Sequence, residues 1–177
     1  MRTSRRVIVT AVLAAIQVAM IVSGLNTVPM PNGLNVTVLP VPSILAGVLA
    51  GPLAGAAVGA AFGLTSFALA TTPLFQNPVV AILPRILIGP IAAFVYRRAE
   101  RVNAALGLVL AGAAGAITNT GLVLLLAVLL PGPSGGPYLS PDAAQQVAIT
   151  GLPWETLVAA IATLVVGMAA RVAMRKG

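Results

Sequence analysis

The sequence contains neither cysteine nor histidine, and it carries little charge. Without cysteine there can be no disulfide framework and no thiolate metal site. Without histidine the commonest general base and the commonest metal ligand are missing. The acidic residues are Glu100, Asp142 and Glu155. This inventory excludes most hydrolytic and metal-dependent chemistry, so the chain is not expected to be an enzyme, and no cofactor and no metal is expected.

Charged residues make up only 7% of the 177 residues, whereas hydrophobic residues make up 59%. Soluble domains have about 25% charged residues, and a mean hydropathy of +1.05 is far from theirs. The isoelectric point of about 11.7 suggests nucleic acid at first. However, the cations flank apolar stretches and do not form a patch interleaved with aromatic residues, which favours a membrane protein.

Long apolar runs predict a bundle of membrane-spanning helices, since about 20 residues cross the hydrocarbon core. Stretches rich in proline, glycine and asparagine separate these runs and predict loops at 25–40, 71–78 and 131–146. The fold predicted is a single all-α integral membrane domain, residues 1–177, with six transmembrane helices at 7–23, 41–50, 53–70, 79–96, 104–130 and 147–172. The second of these is short.

The cations provide a test of the number of spans. All but one of the ten lie in three groups, before the first helix, between the fourth and fifth, and after the sixth. Six spans put the three groups on one side, and the positive-inside rule makes that side the cytoplasm. Both termini are therefore predicted to be cytoplasmic. The alternative start, a cleaved signal peptide ending near Ser23, would leave an odd number of spans and would separate these groups.

Small residues recur at helical spacing in several spans. Gly55, Gly59 and Gly63 are four residues apart and would form a smooth stripe for packing within the bundle. Ala11 and Ala15 are also four apart, in the cytoplasmic half of the first helix. They either pack internally or present a flat groove to a partner subunit.

Polar residues are costly inside a membrane and are therefore functional candidates. Apart from Gln17, they converge on the outer half of the predicted bundle, which resembles a cup that is open outward and has a closed floor. The candidate substrate-binding residues are Asn35, Thr37, Gln76, Asn77, Arg85, Asn119, Tyr138, Trp154 and Glu155.

Some of these polar residues have a structural alternative. Arg85 is the only cation away from the flanks, and Pro84 and Pro90 bracket it, which predicts a kinked helix around a buried charge. Arg85 either binds an anion or forms an ion pair with Glu155. Thr65, Ser66 and Thr118 are expected in part to bond back to carbonyls of their own helices.

A channel or a proton relay needs polar groups through the full thickness of the membrane, and the inner half lacks them. No phosphate-binding loop of the type GxxxxGK[ST] is present, so energy for any pumping has to come from other subunits.

Several motifs together resemble one transporter family. The segment from Pro42 to Gly47, the Gly51-Pro52 pair and the glycines that follow resemble the second and third helices of vitamin-binding S components of energy-coupling factor (ECF) transporters. Asn77-Pro78 with the segment from Leu83 to Gly89 resembles the fourth helix of one branch. The segment from Ala11 to Ala15 resembles the small-residue motif by which S components dock on their coupling subunit.

This resemblance implies a high-affinity vitamin-binding subunit that captures its substrate from the outer side of the cell (inner) membrane. Its partners would be a transmembrane coupling subunit and two cytoplasmic ATPases. Because a guanidinium group binds a carboxylate bidentately, Arg85 favours a small carboxylate vitamin such as pantothenate. Folate, riboflavin, hydroxymethylpyrimidine and cobalamin stay open. So do a self-sufficient small transporter or channel and an assembly subunit without a ligand.

Overall fold

The computed structural model describes residues 3–24, 27–29 and 35–175. Within these ranges the chain forms six helices and one short β-ribbon. The elements are α1 Thr3–Val22, β1 Thr27–Pro29, β2 Asn35–Thr37, α2 Pro40–Ala50, α3 Pro52–Ala68, α4 Pro78–Ala99, α5 Ala104–Leu129 and α6 Pro141–Arg175. All-helical architecture was predicted from the hydropathy, and the structure confirms it apart from the ribbon.

Four of these helices are long and apolar enough to cross a membrane: α1, α4, α5 and α6. The other two are shorter, with 11 residues in α2 and 17 in α3. At about 1.5 Å per residue, α2 covers only about half of a hydrocarbon core about 30 Å thick. Length alone therefore does not identify α2 and α3 as membrane-spanning helices.

The structure differs from the sequence prediction at two loops. Strands β1 and β2 pair antiparallel, with Val28 opposite Val36, inside the stretch predicted as the first loop. Helix α6 begins at Pro141, not at residue 147. Its start has the features of a stable N-terminus: the Ser140 hydroxyl accepts from the Ala143 amide at 3.3 Å, and Asp142 lies in the first turn. Pro153 lies inside the helix.

Helix α2 occupies the interior of the bundle. Nearly all of its residues are buried, and it contacts α1, α3, α4, α5 and α6. Ile44 of α2 packs with Phe62, Ile88 and Leu108 in a core cluster that draws on four helices. A short, uncharged helix fits this place because every face of it meets protein.

The predicted glycine stripe of α3 packs directly on α4. A side-chain carbon added to Gly59 would lie 2.1 Å from the Arg85 carbonyl oxygen, and one added to Gly55 would lie 2.6 Å from Gly89 Cα. Gly63 faces Ile82 in the same way. Close approach of two backbones is the usual function of small residues between membrane helices. Here it fixes the part of α4 that carries Arg85.

Replacing Gly59 by valine is therefore expected to destabilise the protein by about 1–3 kcal/mol, the usual cost of overpacking. Gly121 is the matched control, because a side-chain carbon there meets nothing within 4 Å. Thermal unfolding of the purified variants measures the effect. Equal melting temperatures for the Gly59→Val and Gly121→Val proteins would contradict this packing.

The basic C-terminal end of α6 and the basic turn between α4 and α5 lie at the same end of the bundle. Arg171 of α6 forms an ion pair with Glu100, which follows α4, at 3.7 Å. The Arg171 guanidinium also lies 5.7 Å from the centre of the Tyr96 ring. The C-terminal end of α6 and the turn between α4 and α5 are therefore neighbours, as the charge distribution required.

Candidate functional site

A cavity of about 620 Å³ lies at the other end of the bundle, where α4 begins and α3 ends. Its size suits a small organic molecule, since such sites usually measure about 300–1,000 Å³. Its walls are mostly apolar. The polar or charged residues that line it are Thr37, Ser66, Thr71, Thr72, Arg85, Asn119, Thr120 and Glu155.

Arg85 is held by a gap that Pro84 creates in helix α4. Proline has no amide hydrogen, so Pro84 cannot donate to the carbonyl of Val80, four residues earlier. Arg85 Nη1 fills the gap and donates to that carbonyl oxygen at 2.6 Å. A neighbouring group that satisfies the freed carbonyl is the usual way in which proline is tolerated in membrane helices.

Two phenylalanine rings flank the same guanidinium group. The guanidinium carbon lies 5.4 Å from the centre of the Phe62 ring and 4.9 Å from that of Phe75. Arg85 is only 5% exposed, and its Nε has no hydrogen-bond partner in the part of the chain that the structure describes. Phe62 and Phe75 favour a cation at this point. The charge nevertheless has no acidic partner there.

Asn119 is the second polar group of the cavity that is not satisfied. It is 6% exposed, and no hydrogen bond joins its Oδ1 to any described residue. Its neighbour Thr118 behaves differently, because the Thr118 hydroxyl donates to the Ala114 carbonyl at 2.7 Å. A buried amide without a partner costs free energy. Asn119 Oδ1 is thus a buried acceptor for which the described residues supply no donor.

Glu155 does not pair with Arg85. Its carboxyl group accepts from the Thr120 hydroxyl and from the backbone of Thr37, at the end of β2. The alternative interpretation of Arg85 and Glu155 as a structural ion pair is therefore wrong. Glu155 instead joins α6, α5 and the ribbon on one side of the cavity.

The structure brings four of the predicted site residues to the cavity: Thr37, Arg85, Asn119 and Glu155. Gln76 and Asn77 do not line the cavity, and their side chains form hydrogen bonds within the protein. The Asn77 side chain accepts from the Val79 amide at 3.0 Å and so caps α4, and its Nδ2 donates to the Tyr138 hydroxyl at 3.4 Å. Gln76 Nε2 donates to the Ala70 carbonyl at 3.4 Å.

The remaining predicted residues are placed elsewhere. Trp154 is 42% exposed and does not line the cavity, although Glu155 beside it does. Asn35 contributes its backbone to β2, and its side chain lies outside the described part of the structure. Phe62 and Thr120 were missed by the sequence analysis. Phe62 is flanked by small and apolar residues in α3, so only its position next to Arg85 distinguishes it.

Ala11 and Ala15 are both exposed on α1. Gln17 is the buried residue of this helix, and the Ser43 hydroxyl of α2 donates to its Oε1 at 3.4 Å. The inward face of α1 therefore carries a polar contact, and the face with Ala11 and Ala15 is left uncovered within the chain. The two alanines are therefore not part of the buried contact between α1 and α2.

Comparison with known protein families decides between the functional classes. The model of the family described as ECF transporter, substrate-specific component matches residues 5–170. The chain belongs to this family. No curated protein matched the chain. The resemblance seen in the helix motifs is thus confirmed.

As an ECF S component the protein is an integral membrane protein that binds a small-molecule substrate for transport. S components are substrate-binding subunits and not enzymes, and they associate with the coupling and ATPase components of the transporter. A self-sufficient transporter and an assembly protein without a ligand are therefore excluded as family roles.

Proposed function

We propose that this S component captures a small carboxylate vitamin, with pantothenate as the favoured candidate, and that Arg85 binds the carboxylate. The observation that carries the proposal is a guanidinium group buried beside a cavity, with the Val80 carbonyl as its one hydrogen-bond partner among the described residues. A charge in a membrane helix costs about 2.5–3.5 kcal/mol on insertion scales. A bound carboxylate offsets that cost and accepts two parallel hydrogen bonds from one guanidinium.

The aromatic groups of the cavity favour a flexible substrate over a large flat one. One face of Phe62 and one face of Phe75 are turned to the guanidinium. Those faces are not free to stack on a ring system. Folate, riboflavin, hydroxymethylpyrimidine and cobalamin are thus alternatives with weaker support.

The direct test is binding by purified wild-type protein in detergent. Each of the five vitamins is titrated calorimetrically, and the melting temperature is measured with and without it. We expect pantothenate to raise the melting temperature and to bind in a one-to-one complex. If only another of the five vitamins raises the melting temperature, that vitamin and not pantothenate is the substrate. The absence of binding by all five would contradict the proposal.

The proposed topology has six spans with both termini in the cytoplasm of a cell that keeps this protein in its inner membrane. Substrate then enters from outside, because the cavity lies at the end opposite the ion pair of Arg171 and Glu100. A transmembrane coupling subunit and two cytoplasmic ATPases complete the transporter.

Single cysteines test this topology without background, since the chain has none of its own. Ser134 lies exposed between α5 and α6, and Ser4 lies exposed at the start of α1. A membrane-impermeant thiol reagent added to intact cells is expected to label Ser134→Cys and to leave Ser4→Cys unlabelled. Permeabilised cells, in which both should react, are the control. Labelling of Ser4→Cys in intact cells would contradict the topology.

A further inference from the structure

The cavity has a second polar side that the carboxylate of a substrate does not use. Asn119 and Glu155 both line it, and neither contacts Arg85 through a hydrogen bond or an ion pair. Asn119 contributes a buried amide whose Oδ1 lacks a partner. Glu155 contributes carboxyl oxygens, which accept from Thr120 and from the backbone of Thr37.

These two groups differ in chemistry from the guanidinium of Arg85. A guanidinium offers donors only, whereas an amide offers donors and an acceptor, and an ionised carboxyl offers acceptors only. A second anionic group of a substrate would face acceptor oxygens at Glu155. An apolar group would leave the Asn119 amide buried and unpaired, which is unfavourable.

From these groups we infer that Asn119 and Glu155 form a second subsite, which selects a substrate that carries a neutral hydroxyl group as well as its one carboxylate. A hydroxyl group donates one hydrogen bond and accepts others. It can therefore donate either to Asn119 Oδ1, which lacks a partner among the described residues, or to the Glu155 carboxyl. This inference rests on the proposed function, and it narrows the substrate class to hydroxylated monocarboxylates.

The mostly apolar walls of the cavity set the expected size of the effect. A site built to bond a hydroxyl group discriminates strongly against the analogue that lacks it, because its own polar groups are then left unpaired. We expect discrimination of about tenfold or more in the dissociation constant.

The experiment compares three probes on the intact, detergent-purified protein. The probes are pantothenate, its analogue with both hydroxyl groups replaced by hydrogen, and panthenol, in which an alcohol replaces the carboxylate. Wild type is expected to bind pantothenate at least about tenfold more tightly than the dideoxy acid. In Asn119→Leu this ratio is expected to fall to about threefold or less.

Thr118→Val is the matched control, because Thr118 is a neighbouring buried hydroxyl that bonds to Ala114 and does not line the cavity. Its ratio of the two dissociation constants should equal that of wild type. Each ratio is taken within one preparation, so a lower yield of folded protein does not change it. Asn119→Ala provides a second variant if Asn119→Leu fails to fold.

Equal binding of the two acids by wild type, or an unchanged ratio in both Asn119 variants, would overturn the second subsite. If wild type binds neither acid, the substrate class is wrong, and binding of another vitamin would still leave capture of a small solute standing. Equal binding of pantothenate and panthenol contradicts the carboxylate contact of Arg85 separately. The two proposals therefore fail by different results.

Discussion

Replacing Arg85 by alanine is expected to weaken binding of a carboxylate substrate about tenfold to more than a hundredfold. The reason is the loss of a charge-assisted hydrogen bond, worth about 1.5–3 kcal/mol. Arg85→Lys should recover only part of the affinity, because a point charge lacks the two-pronged geometry of a guanidinium. Calorimetric titration with pantothenate measures both variants.

Arg85 also satisfies the Val80 carbonyl and contacts two phenylalanine rings, so the control has to separate binding from stability. Arg98→Ala is a matched variant, since Arg98 lies 4.8 Å from the centre of the Phe94 ring and far along α4 from the cavity. It should keep the wild-type affinity. Unchanged affinity in folded Arg85→Ala protein would exclude Arg85 as a substrate contact.

Replacing Ala15 by tryptophan is expected to abolish most transport while substrate binding stays intact. Close contact between membrane helices depends on small residues, and Ala15 lies on the uncovered face of α1. Substrate binding should persist because Ile21, near the other end of α1, is the residue through which this helix lines the cavity. We expect Ala11→Trp to behave in the same way.

Two measurements on the complete transporter check this prediction: uptake of labelled substrate and co-purification of the coupling subunit. Ala169→Trp is the control. Ala169 is an exposed alanine of α6, and it lies two residues before Arg171, which forms the ion pair with Glu100. It should retain both properties. Normal uptake and co-purification of Ala15→Trp would place the docking surface elsewhere on the protein.

The positions of the helices follow closely from hydropathy and from proline and glycine, with one instructive exception. Residues 141–146 were predicted as the end of a loop rich in proline and glycine that precedes the last apolar run, yet they form the first turns of α6. Hydropathy indicates which part of a helix lies in lipid, but it does not indicate where the helix begins. A capped N-terminus such as that at Ser140 extends a helix beyond its apolar part.

The sequence predicted how deep in the membrane the site residues lie, but not which side of each helix faces the cavity. A rise of about 1.5 Å per residue locates Arg85, Asn119 and Glu155 near one end of the bundle. It locates Trp154 there too, and Trp154 faces outward. Which side of a helix meets the cavity depends on packing partners, such as the contact of Gly59 with the Arg85 carbonyl. Phe62 and Thr120 could be identified as cavity residues only from the packing in the structure.

A small anionic molecule is proposed to occupy the cavity beside Arg85. Mass spectrometry of small molecules released from purified wild-type and Arg85→Ala protein tests it most directly. We expect a carboxylate compound in near-equal molar amount with wild type, and its loss or strong depletion from the variant, with Arg98→Ala as the loaded control. A neutral or cationic compound retained equally by all three proteins would contradict binding of an anion by Arg85.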